Sequence, residues 1–271
     1  MGGDSGLGAL GSFANALFLI ISVYVYFVLL RQIAARRSDA LGATARHFGL
    51  PEAAVALFLA SLFVFTSLGA ANAPRVNLRS RDLIATALLE LGLVAFVAIF
   101  LKLRRFDLMD MTGIGRLTFR RAFLMGTVLL IVGYPLISMA DWLTGRILGP
   151  SALSRQGIVD LFSGSQSIEQ RVLVILLAVA VAPLAEEFIF RFFLYGVLRR
   201  YAGRVVGLVI SALLFAAVHA HLPSFAPLFV LGACFTLAYE WTGSLLVSMT
   251  MHSIFNSLTL VALAFPNTFE Q

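Results

Sequence analysis

VLVILLAVAVAPLAEEFIFRFFLYGVL, residues Val172 to Leu198, is the stretch whose reading decides the fold. It is longer than the ~20 apolar residues that cross a bilayer as a helix, yet Glu186, Glu187 and Arg191 stand near its middle. An ionisable group at the bilayer centre costs about 2.5–3.5 kcal/mol on insertion scales. Three such groups so close together imply pairing and a wet cavity inside the membrane. On a helix, Glu187 and Arg191 are one turn apart with the acid first, the better order for an ion pair. Glu186 points about 100° away from Glu187. One carboxylate can thus be held by Arg191 while the other stays free for chemistry. The plainer alternative is a buried network of all three groups with a structural role only.

The rest of the chain fits a membrane protein. It has 271 residues, 60% hydrophobic and only 13% charged, which excludes an ordinary soluble domain. Apolar stretches this continuous are not barrel strands. The expected fold is all-α, a polytopic helical bundle with about eight transmembrane helices at about 8–30, 52–71, 83–101, 122–143, 172–198, 205–221, 224–240 and 244–265. One membrane domain, 1–271, is expected, with an N-terminal four-helix part (1–143) and a four-helix core (170–265). The polar stretch 144–170 reads as an external loop. The start of the chain lacks the basic region and cleavage site of a signal peptide, so the first apolar stretch is expected to remain as a span.

The net charge of +6 is assigned to the flanks of membrane helices and not to nucleic-acid binding. Arg31, Arg36, Arg37 and Arg46 follow the first stretch; Lys102, Arg104, Arg105, Arg116, Arg120 and Arg121 follow the third; Arg199, Arg200 and Arg204 follow the fifth. With eight spans these fall on one side, opposite Arg75, Arg79, Arg81, Arg146, Arg155 and Arg171. The positive-inside rule then places the N-terminus outside. Cys234 is the single cysteine, so no internal disulfide can form.

Two later apolar stretches carry Phe215-Ala-Ala-Val-His219 and His252-Ser-Ile-Phe-Asn256. His252 and Asn256 share a helix face. At 1.5 Å rise per residue, Glu186 lies roughly 20 Å above Arg199 and His219 roughly 21 Å above Val205. By the same rise, His252 and Asn256 lie roughly 12 and 18 Å above Ser244. Comparable depth allows these groups to converge. A carboxylate, two imidazoles and an amide suit activation of water and stabilisation of an oxyanion. Glu186, His219 and His252 could also ligate zinc as an open three-ligand site, although no His-Glu-x-x-His segment is present. A cysteine nucleophile is less suited, since Cys234 lacks a recognisable base.

Glu-Glu-x-x-x-Arg at 186–191, Phe-x-x-x-His at 215–219 and His-x-x-x-Asn at 252–256 resemble the three motifs of the CAAX protease and bacteriocin-processing (CPBP, or Abi) family. The similarity covers about 170–260; where the family often has Gly after the motif arginine, this chain has Phe192. The resemblance implies an intramembrane glutamic endopeptidase related to type II CAAX prenyl endopeptidases. It implies Glu186 as the base, His219 positioning water, His252 and Asn256 as the oxyanion hole, and Glu187 with Arg191 as a supporting pair. It also implies a membrane-associated peptide substrate, no cofactor (with zinc as the alternative) and a bacterial cytoplasmic membrane. A non-catalytic membrane adaptor and a proton-coupled transporter are the rival readings.

Other polar residues read as structural. Glu90, a lone acid in the third stretch, is expected to be a protonated or paired structural group before a proton relay. Glu240 and Trp241 read as an interfacial anchor, His221 as lying beyond a helix end, Tyr195 and Phe192 as packing, and His47 as a loop residue.

Overall fold

In hydrocarbon every backbone N–H and C=O must be satisfied within its own segment, so apolar runs of this length form helices. The computed structural model describes residues 3–36, 48–71, 80–149, 162 and 168–265. These form α1 (Gly3–Ala35), α2 (Leu50–Ala71), α3 (Ser80–Leu103), a short α4 (Leu108–Thr112) and α5 (Phe119–Leu148). One long helical path follows: α6 (Ile168–Leu176), a π turn (Leu177–Val181), α7 (Ala182–Glu186), a π segment (Glu187–Leu194) and α8 (Tyr195–Val218). Next come α9 (Leu222–Thr242) and α10 (Leu245–Ala264). No strand occurs among the described residues, and the molecule is a polytopic all-α membrane protein. Arg37, Arg46, His47, Arg75, Arg79, Arg155 and most of the 144–170 stretch lie outside the described residues.

Among the described residues, seven helical stretches are long and apolar enough to cross a membrane, and one of them, Ile168–Val218, has 51 residues. At 1.5 Å per residue a straight rod of that length would span roughly 75 Å, far beyond a bilayer. It does not run straight. Gly203 takes φ 84° and ψ 171° inside α8, and the chain folds back there. Ser211 Oγ donates to Phe190 O at 2.8 Å, and the Phe190 and Phe215 rings meet edge to face at 5.6 Å. A Cβ on Gly207 would come within 2.9 Å of Arg199 N, so the absence of a side chain permits the close approach of the two arms. With this hairpin counted as two passes, the described residues contain eight apolar passes, near the boundaries expected from hydropathy.

The hairpin, α5, α9 and α10 pack together as the inner layer; α1 lies on α5, α2 on α8, and α3 on α7 and the π segment. One end of the bundle is tied by arginine. Glu240 accepts from Arg199 Nη1 at 2.7 Å and pairs with Arg204 Nε at 3.2 Å. Arg204 Nη1 also donates to the carbonyls of Ile33 in α1 (2.8 Å) and of Arg36 just after it (2.9 Å). Trp241 donates through Nε1 to Gln32 Oε1, and Tyr239 Oη donates to Met111 O. The basic connections after α1, after α3 and at the hairpin therefore share one end of the molecule.

Glu240 corrects the reading as an interfacial anchor. It is buried, because two arginines replace the water that an interfacial carboxylate would use.

Candidate active site

The site is built where the hairpin departs from regular helix. Pro183 has no N–H to give to Val179 O and its ring crowds that carbonyl. The helix widens just before it: Ala182 N–H bonds Leu177 O instead of Ala178 O. The freed Ala178 carbonyl accepts from Asn256 Nδ2 at 2.7 Å. The second π segment begins at Glu187, immediately after Glu186, so the paired acids sit at the joint between two windings. π segments of this kind are often found at functional sites.

Glu187 and Arg191 are fully buried, with Oε1 3.0 Å from Nη1. The same Oε1 lies 3.0 Å from His252 Nδ1, so one carboxylate oxygen holds two partners. Arg191 Nη2 donates to Gly232 O at 3.4 Å. Its Cζ stands 4.0 Å from the centre of the Phe215 ring and 5.1 Å from that of Phe235, and cation–π attraction offsets part of the lost hydration. Gly232 is where α9 must come close: a Cβ there would meet the Phe215 ring at 3.0 Å and Arg191 Nη2 at 3.3 Å. Phe235 stacks on His252 at 5.1 Å, and Phe215 meets it edge-on at 5.7 Å.

Glu186 faces elsewhere. It is part-exposed, and His252 Nε2 is 4.0 Å from its Oε2. It lines a cavity of about 270 Å³ with His219, Thr66 and Glu90, among apolar side chains that include Phe63 and Leu93. His219 follows the last residue of α8 in a three-residue turn where Ala220 has φ 46°. Its Nδ1 is 2.7 Å from Phe215 O. A carbonyl only accepts, so Nδ1 carries a proton, and in the neutral ring Nε2 is left as an acceptor. His221 caps the start of α9, its Nδ1 2.8 Å from Ser224 Oγ.

The four residues Glu186, Glu187, Arg191 and His252 thus form one connected group. His219 joins it through the cavity it shares with Glu186, and Asn256 is held against the first π turn. Among the described residues no three His, Cys, Asp or Glu side chains form a group that fits one metal ion.

Sequence reasoning missed several participants. Gly232 and Phe235 bear no chemical signal of their own. Thr66, in the second apolar stretch, gave no signal either, and Glu90, read from sequence as a structural acid, lines the cavity beside Glu186. Glu90 is half-buried, and no hydrogen bond or ion pair reaches it among the described residues. Phe192, in the position where the family often has Gly, is 2% exposed and packs against Phe48 and Phe188.

Comparison with known proteins points the same way. Residues 168–258 match the family model described as type II CAAX prenyl endopeptidase Rce1-like. The membrane-embedded CAAX protease MroQ of Staphylococcus aureus (strain USA300) is 30% identical over 87 residues, covering 30% of this chain and 35% of MroQ. No solved structure matches this chain. The family resemblance carried by the three motifs is borne out over this segment, which holds the hairpin, α9 and most of α10.

Proposed function

We propose that this chain is an intramembrane endopeptidase that cuts a membrane-associated peptide or protein by glutamate-activated hydrolysis. The observation that carries the reading is the division between two adjacent acids. Glu187 is buried and committed to Arg191 and His252, whereas Glu186 faces a cavity with His219. The match to Rce1-like endopeptidases over 168–258 supports the same class of chemistry.

In this scheme the Glu186 carboxylate takes a proton from a water that His219 orients through Nε2. The hydroxide attacks the peptide carbonyl carbon and negative charge moves to its oxygen. His252, held through Nδ1 by Glu187, offers Nε2–H when protonated. Asn256 uses one amide hydrogen on Ala178 O and keeps the other. These two donors stabilise the oxyanion. The proton on Glu186 then passes to the leaving nitrogen as the C–N bond breaks, which regenerates the carboxylate. No cofactor takes part.

The test compares membrane peptides in cells making the parent chain with those in cells making Glu186→Gln at equal protein level. One or more longer precursors should accumulate with the variant. Identical peptide sets, with any cellular effect of the parent kept by the variant, would favour a non-catalytic regulator.

A further inference from the structure

The proteolytic reading leaves Glu90 unused, although it lines the cavity beside Glu186 and His219. It stands on α3, outside residues 168–258, the segment that matches the family model. A carboxyl within a membrane span is costly unless it is paired or faces a wet cavity. No lysine or arginine lines this cavity; His252 Nε2 stands 4.0 Å from Glu186 Oε2, on the Glu186 side, and leaves Glu90 without an ion pair among the described residues. Arg191 is fully buried against Glu187 and is not part of the cavity wall. His219 has its Nδ1–H on Phe215 O, and in the neutral ring its Nε2 is an acceptor toward the cavity. Two carboxyl groups therefore face a half-open, largely apolar space whose other polar lining groups are Thr66 and His219.

We propose that Glu90 is a specificity-determining residue, forming a subsite for a cationic side chain, lysine or arginine, next to the bond to be cut. In a low-dielectric cavity such a side chain would find its counter-charge in Glu90, while Glu186 remains with water. This rests on the proteolytic reading, and it assigns α3 a part in choosing substrate.

The experiment uses the full chain in detergent and a set of quenched fluorescent peptides. A single apolar host sequence carries lysine, norleucine or glutamate at each position in turn. The parent should prefer lysine over norleucine by about tenfold or more in kcat/KM at one position, the scale expected for one desolvated charge pair. Glu90→Gln keeps the shape and removes the charge, and should collapse that ratio toward one. Glu90→Lys should move the preference to the glutamate peptide. Thermal melts of both variants establish that they are folded. No lysine preference in the parent, or a ratio that survives Glu90→Gln, overturns the subsite; the second result would mark Glu90 as a neutral hydrogen-bonding group. Binding of the same peptides, read by fluorescence anisotropy, separates the two ideas. A chain that binds the lysine peptide selectively through Glu90 but cuts nothing refutes the protease and keeps the subsite. One that cuts without preference does the reverse.

Discussion

Glu187 and Glu186 are chemically identical neighbours in different surroundings, one buried against Arg191 and His252 and the other facing a cavity. Glu187 Oε1 is the shared partner of Arg191 and His252, each at 3.0 Å. Replacing it with Gln leaves a guanidinium buried without a counter-charge, which costs about 3–5 kcal/mol. A thermal melt in detergent should show a large drop in Tm, with activity lost through instability. An unshifted melt would mean that the pair is not buried in the working protein. Gly232→Ala is the matching test on the other side of Arg191. The added methyl must displace the Phe215 ring or Arg191, both within 3.3 Å, an overpacking effect of about 1–3 kcal/mol. It should lower Tm by several degrees, and a melt like the parent's would show that α9 has room to move.

At the scale of elements, the π turn before Pro183 links backbone winding to Asn256, a donor of the proposed oxyanion hole. Pro183→Ala restores the missing N–H and removes the ring that forces the widening, a constraint of about 3 kcal/mol in a helix interior. The helix should then return to regular winding, Ala178 O should be taken by Ala182 N–H, and Asn256 should lose its anchor. The expected signature is a Tm equal to or above the parent's with turnover clearly reduced. Unchanged turnover would disconnect the turn from the chemistry. The Glu240 clamp should behave oppositely: Glu240→Gln unpairs Arg199 and Arg204 at the end remote from the cavity. It should lower Tm while the folded fraction keeps its turnover.

At the scale of the whole molecule, hydropathy was enough for the eight passes, because lipid forces apolar runs into helices wherever they occur. The i,i+4 spacing was also enough to bring Glu187 onto Arg191. Depth alone could not show lateral order, so His252 against Glu187, Phe235 stacked on His252 and Glu90 beside Glu186 were not legible. Neither was the winding change, since Pro183 marks a disturbance without saying which carbonyl it frees. The basic connections share one end of the bundle, the end for which the positive-inside rule predicts a cytoplasmic location. Cysteines placed at Arg36, Arg105 and Arg200 in a Cys234→Ser background should resist impermeant thiol reagents on intact cells; labelling of all three would reverse the orientation. Activity should likewise survive chelation, and loss restored by added zinc would revive the metal alternative. The most direct test of the central claim is turnover by purified, folded Glu186→Gln beside the parent on one membrane peptide. The account predicts a melt like the parent's and no cleavage; cleavage at the parent's rate would remove Glu186 as the base.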